Sequence, residues 1–115
     1  MSKDTNMAID QQQLVAAWQR TLPTVLNPSD RATVYADAAN PQAIRLTIKT
    51  AGHNGLEFDF ICTYVDGREV RVELIDAEKD EQTIDERNER VQQLVEDYIR
   101  HIHECAQALH SETRA

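Results

Sequence analysis

Apolar residues recur along this chain with two different periods, and the change between them divides it into a helical start, a run of strands and a helical end. Leu14, Val15, Trp18 and Leu22 follow the three-to-four-residue spacing of one helix face. Ahead of them Asp10 stands where an N-cap belongs, Gln13 can complete a capping box, and Ile9 can staple onto Leu14. Pro23 lacks a backbone donor and is expected to close this helix.

From Arg31 the period becomes two. Four runs bounded by turn residues, 31–38, 43–50, 56–64 and 68–76, read as strands. Ile44, Leu46 and Ile48 share one face of the second, and Leu56, Phe58, Phe60, Cys62 and Tyr64 share one face of the third. Val70, Val72 and Leu74 do so in the fourth, and Ala32, Val34 and Ala36 form the weaker inward set of the first.

Residues opposite each other in a hairpin lie on the same face, so loop length can be tested against the alternation. A two-residue Asp66-Gly67 turn would set Tyr64 against Glu69. A three-residue loop of Val65, Asp66 and Gly67 pairs Cys62 with Val70, Phe60 with Val72 and Phe58 with Leu74. The same construction at His53-Asn54-Gly55 pairs Thr50 with Phe58, Ile48 with Phe60 and Leu46 with Cys62. On the other face it sets Lys49 across from Asp59, and Asp59 across from Glu73, with Lys49 screening the two acids.

The last element opens on the capping box Thr83-Ile84-Asp85-Glu86 and runs to about His110 without Pro or Gly. Its stripe of Ile84, Val91, Leu94, Val95, Tyr98, Ile102, Cys105, Ala106 and Leu109 marks one face for burial. At 1.5 Å per residue it would span about 40 Å, against about 27 Å for an eight-residue strand. The overhang needs cover from the first helix or from a second copy, which is the ground for expecting a homodimer.

The predicted fold is therefore α+β: an N-terminal helix, a four-stranded antiparallel meander and a long C-terminal helix (α-β-β-β-β-α), with both helices on one face of the sheet. One domain covers 9–110, with disordered tails at 1–8 and 111–115.

Composition narrows the function. The formal charge of −8 disfavours binding to a phosphate backbone, which relies on clustered Lys and Arg. Residues 1–75 carry nine acids against seven bases, and residues 76–115 eleven against five, so acidity belongs to the C-terminal third. No apolar run is long enough for a secretory signal or a membrane span. Cys62 and Cys105 form no close pair, which points away from a disulfide framework and toward a reduced, cytoplasmic setting.

Asp97, His101 and Cys105 sit at four-residue steps and are the one set with metal-ligand chemistry, but His103 and His110 fall on the far side of the helix and no second cluster completes a site. Asp76, Glu78 and Asp80 alternate like the start of a calcium loop, yet Glu81 stands where Gly is needed and Arg87 where Glu is needed. No nucleophile with a base and no Gly-rich phosphate loop appears; Gly52, Gly55 and Gly67 all lie in hairpin loops. Neither a cofactor nor enzymatic activity is expected.

Size, acidity and mixed α/β content are broadly similar to those of small dimeric secretion chaperones, which place a helix among their strands, whereas this chain runs four strands consecutively. The sequence reads best as a non-enzymatic protein-interaction domain, homodimeric, docking a protein partner through the acidic C-terminal helix and the outer sheet face. Its candidate contact residues are Asp76, Glu78, Asp80, Glu81, Tyr98, Ile102 and Leu109. The alternatives are a metal-binding or redox-sensing protein using His101 and Cys105, and an acidic nucleic-acid mimic that inhibits a DNA-binding protein.

Overall fold

The structure is a computed structural model and describes residues 7–50, 56–79, 82–83 and 89–114. Helix α1 spans Gln11–Val25 and begins as its sequence dictates. The Asp10 carboxylate accepts the Gln13 N–H at 2.9 Å, and the Gln13 side-chain oxygen accepts the Asp10 N–H at 2.9 Å. Pro23 does not close it: the helix continues two residues further, to Val25. So near the end a proline forfeits only one backbone bond, and the Thr24 hydroxyl adds a bond of its own to the Thr21 carbonyl at 2.6 Å.

The sheet is an antiparallel meander of β1 (Arg31–Ala36), β2 (Ala43–Lys49), β3 (Leu56–Tyr64) and β4 (Val70–Lys79), extended by the two-residue β5 (Gln82–Thr83), in the order β1-β2-β3-β4-β5. Strand β1 stops at Ala36 rather than Ala38 because Asp37 starts a turn, its carboxylate accepting the N–H groups of Ala39 at 3.1 Å and Asn40 at 2.8 Å.

Both hairpins pair two residues away from the expected register. Cys62 faces Val72 rather than Val70, and Phe60 faces Leu74 rather than Val72. In the neighbouring hairpin Ile48 faces Phe58 and Leu46 faces Phe60. At the β3–β4 turn the cause is visible: the Asp66 carboxylate accepts the Arg68 and Glu69 N–H groups at 2.7 and 2.9 Å, and the Val65 N–H reaches the Glu69 carbonyl at 2.9 Å. These bonds hold Arg68 and Glu69 in the loop. The expected three-residue turn at His53, Asn54 and Gly55 lies outside the described residues; on either side of it Thr50 N–H bonds Leu56 O at 3.0 Å.

Strand β4 also runs further than residue 76. A bulge opposite Asp59 and Phe60 takes up Ile75, after which Asp76 pairs with Asp59 and Ala77 with Phe58. Asp76 and Glu78 therefore belong to a strand, not to a calcium-type loop.

Helix α2 spans Glu89–Ala108, and a short helix α3 follows at His110–Thr113. Thr83 is paired with Glu78 in β5; the rest of the expected capping box lies outside the described residues. Helices α1 and α2 pack against each other and against the same sheet face, where Trp18, Leu22, Ile44, Leu46, Ile48, Phe58, Phe60, Cys62, Ile102 and Cys105 are fully buried. Burying each large apolar side chain is worth roughly 1.5–3 kcal/mol, so this one-sided core carries the fold.

Of the residues expected as tails, Met7 and Ala8 meet Thr113 and Arg114. Ala8 N–H bonds Thr113 O at 2.9 Å, Met7 bridges Arg114, and the buried Thr113 hydroxyl donates to Gly67 O at 2.8 Å.

Candidate functional site

With both helices on one side of the sheet, the side chains of the other side point outward in three rows that cross four strands. Arg31, Lys49, Glu57 and Glu78 form the first row; Thr33, Thr47, Asp59 and Asp76 the second; Tyr35, Arg45, Ile61 and Glu73 the third. Charge is sorted across these rows. Strands β1 and β2 contribute Arg31, Arg45 and Lys49, whereas β3 and β4 contribute Glu57, Asp59, Glu73, Asp76 and Glu78 beside the single cation Arg71.

Some of this charge is neutralised within the chain. The Arg45 guanidinium donates to Asp37 at 2.8 Å and, with the Asn40 and Ala39 N–H groups, holds that carboxyl below its ordinary value. Lys49 reaches Glu57 at 3.7 Å, not the Asp59 and Glu73 pair expected from the other register, and Asp59 accepts the Thr47 hydroxyl at 2.7 Å. Arg71 stands 3.8 Å from Glu73.

The acids of β3 and β4 crowd one another. Glu57 lies opposite Glu78 and Asp59 opposite Asp76. A hydrogen bond shared with Asp76, partial burial, and the repulsion of Asp76, Glu57 and Asp59 hold the Glu78 carboxyl above its ordinary value. Two large apolar side chains stand out of this face, Tyr35 at 46% exposure and the bulged Ile75 at 41%.

Of the contact residues expected from sequence, Asp76 and Glu78 take part in this surface, while Asp80 and Glu81 lie outside the described residues. Tyr98, Ile102 and Leu109 are instead buried within the chain. Tyr98 packs its ring 5.8 Å from Phe58 and donates its hydroxyl to Asp30 at 3.0 Å. Over the described part of the stripe, from Val91 to Leu109, α1 and the sheet supply the cover, the first of the two alternatives that the length of the helix left open.

His101 and Cys105 part company in the fold. Cys105 has no exposed surface and burial pushes its thiol up to about 12, while His101 Nδ1 lies 3.0 Å from the exposed Glu104. Cys62 is likewise a free thiol, fully buried, its pKa raised by burial and then by Cys105. Among the described residues no three His, Cys, Asp or Glu side chains come together in a way that could hold a metal ion. His101 instead borders a shallow recess of about 220 Å3 with Asn27, Asp30, Asp97 and Tyr98.

The basic half of the outer face and its apolar Tyr35 are what sequence reasoning missed. The signal was present in the alternation, since Arg31, Thr33 and Tyr35, like Arg45, Thr47 and Lys49, fall opposite the core-facing set. Only the strand order puts these cations on one side of the acids. No family model, curated protein or solved structure matches the chain. Among the described residues no helix is long and apolar enough to cross a membrane.

Proposed function

We propose that this chain is a non-enzymatic interaction domain that docks a protein partner through the outer face of its sheet, with the exposed acidic side of α2 as a flanking contact. The observation that carries this is the outer face itself: a surface four strands wide, left bare by both helices, with charge sorted by strand and with Tyr35 and Ile75 standing out of it. Specific interfaces combine such apolar anchors with a polar, electrostatically patterned surround. A structural rather than reactive role for the cysteines is supported by their burial and raised pKa values, which keep the nucleophilic thiolate form rare.

A photo-reactive residue placed at Tyr35, and separately at Glu96 on α2, tests the proposal in the native cell. The expected result is a covalent protein adduct from Tyr35 that weakens when Glu78 is reversed to Lys, with a lesser adduct from Glu96. If Tyr35 gives no protein adduct, the outer face is not a docking surface and the proposal falls.

A further inference from the structure

We infer that the occupant of the outer sheet face is a second copy of this chain, laid face to face about a two-fold axis parallel to the strands; this rests on the docking role proposed for that face.

A two-fold symmetric contact brings one surface patch against itself, so the patch must be complementary to its own rotated image. The direction of the axis decides whether it is. An in-plane axis perpendicular to the strands keeps the strand order, sets β1 over β1 and β4 over β4, and stacks like charge on like. An in-plane axis along the strands reverses the order, so that β1 of one copy lies over β4 of the other and β2 over β3, while each row stays over the same row.

Applied to the three rows, that operation places Arg31 over Glu78, Lys49 over Glu57, Thr33 over Asp76 and Thr47 over Asp59. Each of the two charge pairs occurs twice. In the third row Tyr35 comes over the stretch of β4 that holds Glu73 and the bulged Ile75, so the two most exposed apolar side chains of the face cover each other. Ile61, half-buried at the centre, falls across from Arg45.

Facing sheets pack about 10 Å apart with strands aligned to within about 30°, a gap and an offset that Arg and Lys side chains span. The second copy also answers a demand the single chain leaves open. Glu57, Asp59, Asp76 and Glu78 repel one another in β3 and β4, and a facing copy delivers Arg31 and Lys49 to that cluster. The face measures roughly 20 Å by 20 Å in plan, about 400 Å2 and so below the ~800 Å2 per partner of standard complexes, which makes the dimer a reversible, salt-sensitive one.

Sedimentation velocity on the full chain, from low to hundreds of micromolar concentration and at low and high salt, should show a dimer that weakens as salt rises. Arg31 and Glu78 are separated within one chain by two intervening strands, so they can pair only between copies. Arg31→Glu and Glu78→Arg, each alone, should weaken dimerisation by roughly tenfold or more, because each reversal acts at both symmetry-related contacts. Mixing the two variants should restore a one-to-one heterodimer with affinity near that of the unaltered chain. Circular dichroism checks that both variants are folded, and the mixed pair Lys49→Glu with Glu57→Lys repeats the test at the next position if either is not.

A chain that stays monomeric at hundreds of micromolar in low salt, or a dimer indifferent to either reversal, or a mixture that fails to form the heterodimer, overturns the inference. If the chain is monomeric while the residue at Tyr35 captures a different protein, the docking role stands and the second copy falls. If Tyr35 captures nothing, both fall together.

Discussion

Trp18 and Tyr64 meet at the centre of the core, where the indole N–H donates to the tyrosine oxygen at 3.0 Å across 46 residues of sequence. Burial drives the Tyr64 pKa upward, so this hydroxyl stays neutral. Replacing Tyr64 by Phe strands a buried N–H and should cost about 1–3 kcal/mol in chemical denaturation; adding Trp18→Phe should then cost less than its effect alone, as a double-mutant cycle would show. The acids supply two opposite pH dependences. Asp37 has its folded pKa lowered by Arg45, so its contribution is present above the ordinary value of 3.8 and is lost as pH falls through the folded pKa. Asp37→Asn should therefore flatten the acid limb of a stability-against-pH curve. Glu78 has its folded pKa raised by Asp76, so stability falls as pH climbs from the ordinary value of 4.5 through the folded one. Glu78→Gln should raise the unfolding midpoint at neutral pH in dilute solution and lose that advantage in acid; an unchanged or lower midpoint at neutral pH would contradict this.

At the scale of elements, the four long strands, their faces and the capped start of α1 were legible because each rests on a local period or a side chain three residues away, whereas the two-residue β5 is too short to show a period. Register was not. A two-residue slip leaves every side chain on its own face, so alternation alone cannot tell Cys62 opposite Val70 from Cys62 opposite Val72. What decides it is Asp66, whose carboxylate satisfies two loop N–H groups. Asp66→Ala should cost about 1 kcal/mol and loosen amide exchange at Arg68 and Glu69. The bulge was invisible for a related reason: with Ile75 looped out, Leu74 and Ala77 both still face the core, and nothing in the sequence requires the irregularity. Deleting Ile75 restores strict alternation across the same pairs. The fold should survive at a cost under about 2 kcal/mol by thermal melting; loss of cooperative unfolding would show that the bulge holds the strand together.

Over the whole molecule, the two-layer arrangement followed from the patterning, whereas the sorting of charge across the outer face and the contact between Met7, Ala8 and residues 113–114 did not. The cations of β1 and β2 and the acids of β3 and β4 are unremarkable in sequence order and form opposed halves only once the meander lays the strands side by side. Thr113 sits in a stretch with no period; its tie to Ala8 reaches across most of the chain and its tie to Gly67 across 46 residues. Removing residues 110–115 takes away a buried hydroxyl, the bridge to Met7 and the Arg20–Glu112 ion pair at 2.8 Å. A loss of about 2 kcal/mol or more is expected, read from the urea midpoint.

That closure has a consequence for how the protein comes into being. Synthesis delivers α1 and the whole meander first, with Trp18, Leu22 and the inner sheet face still lacking the cover of Ile102, Cys105 and Leu109. Residues 89–114 must leave the ribosome before the apolar layer can be sealed, and the contacts that seal it are among the longest in the chain. Until residues 89–114 emerge, the nascent chain presents a greasy half-sheet for which holding chaperones compete.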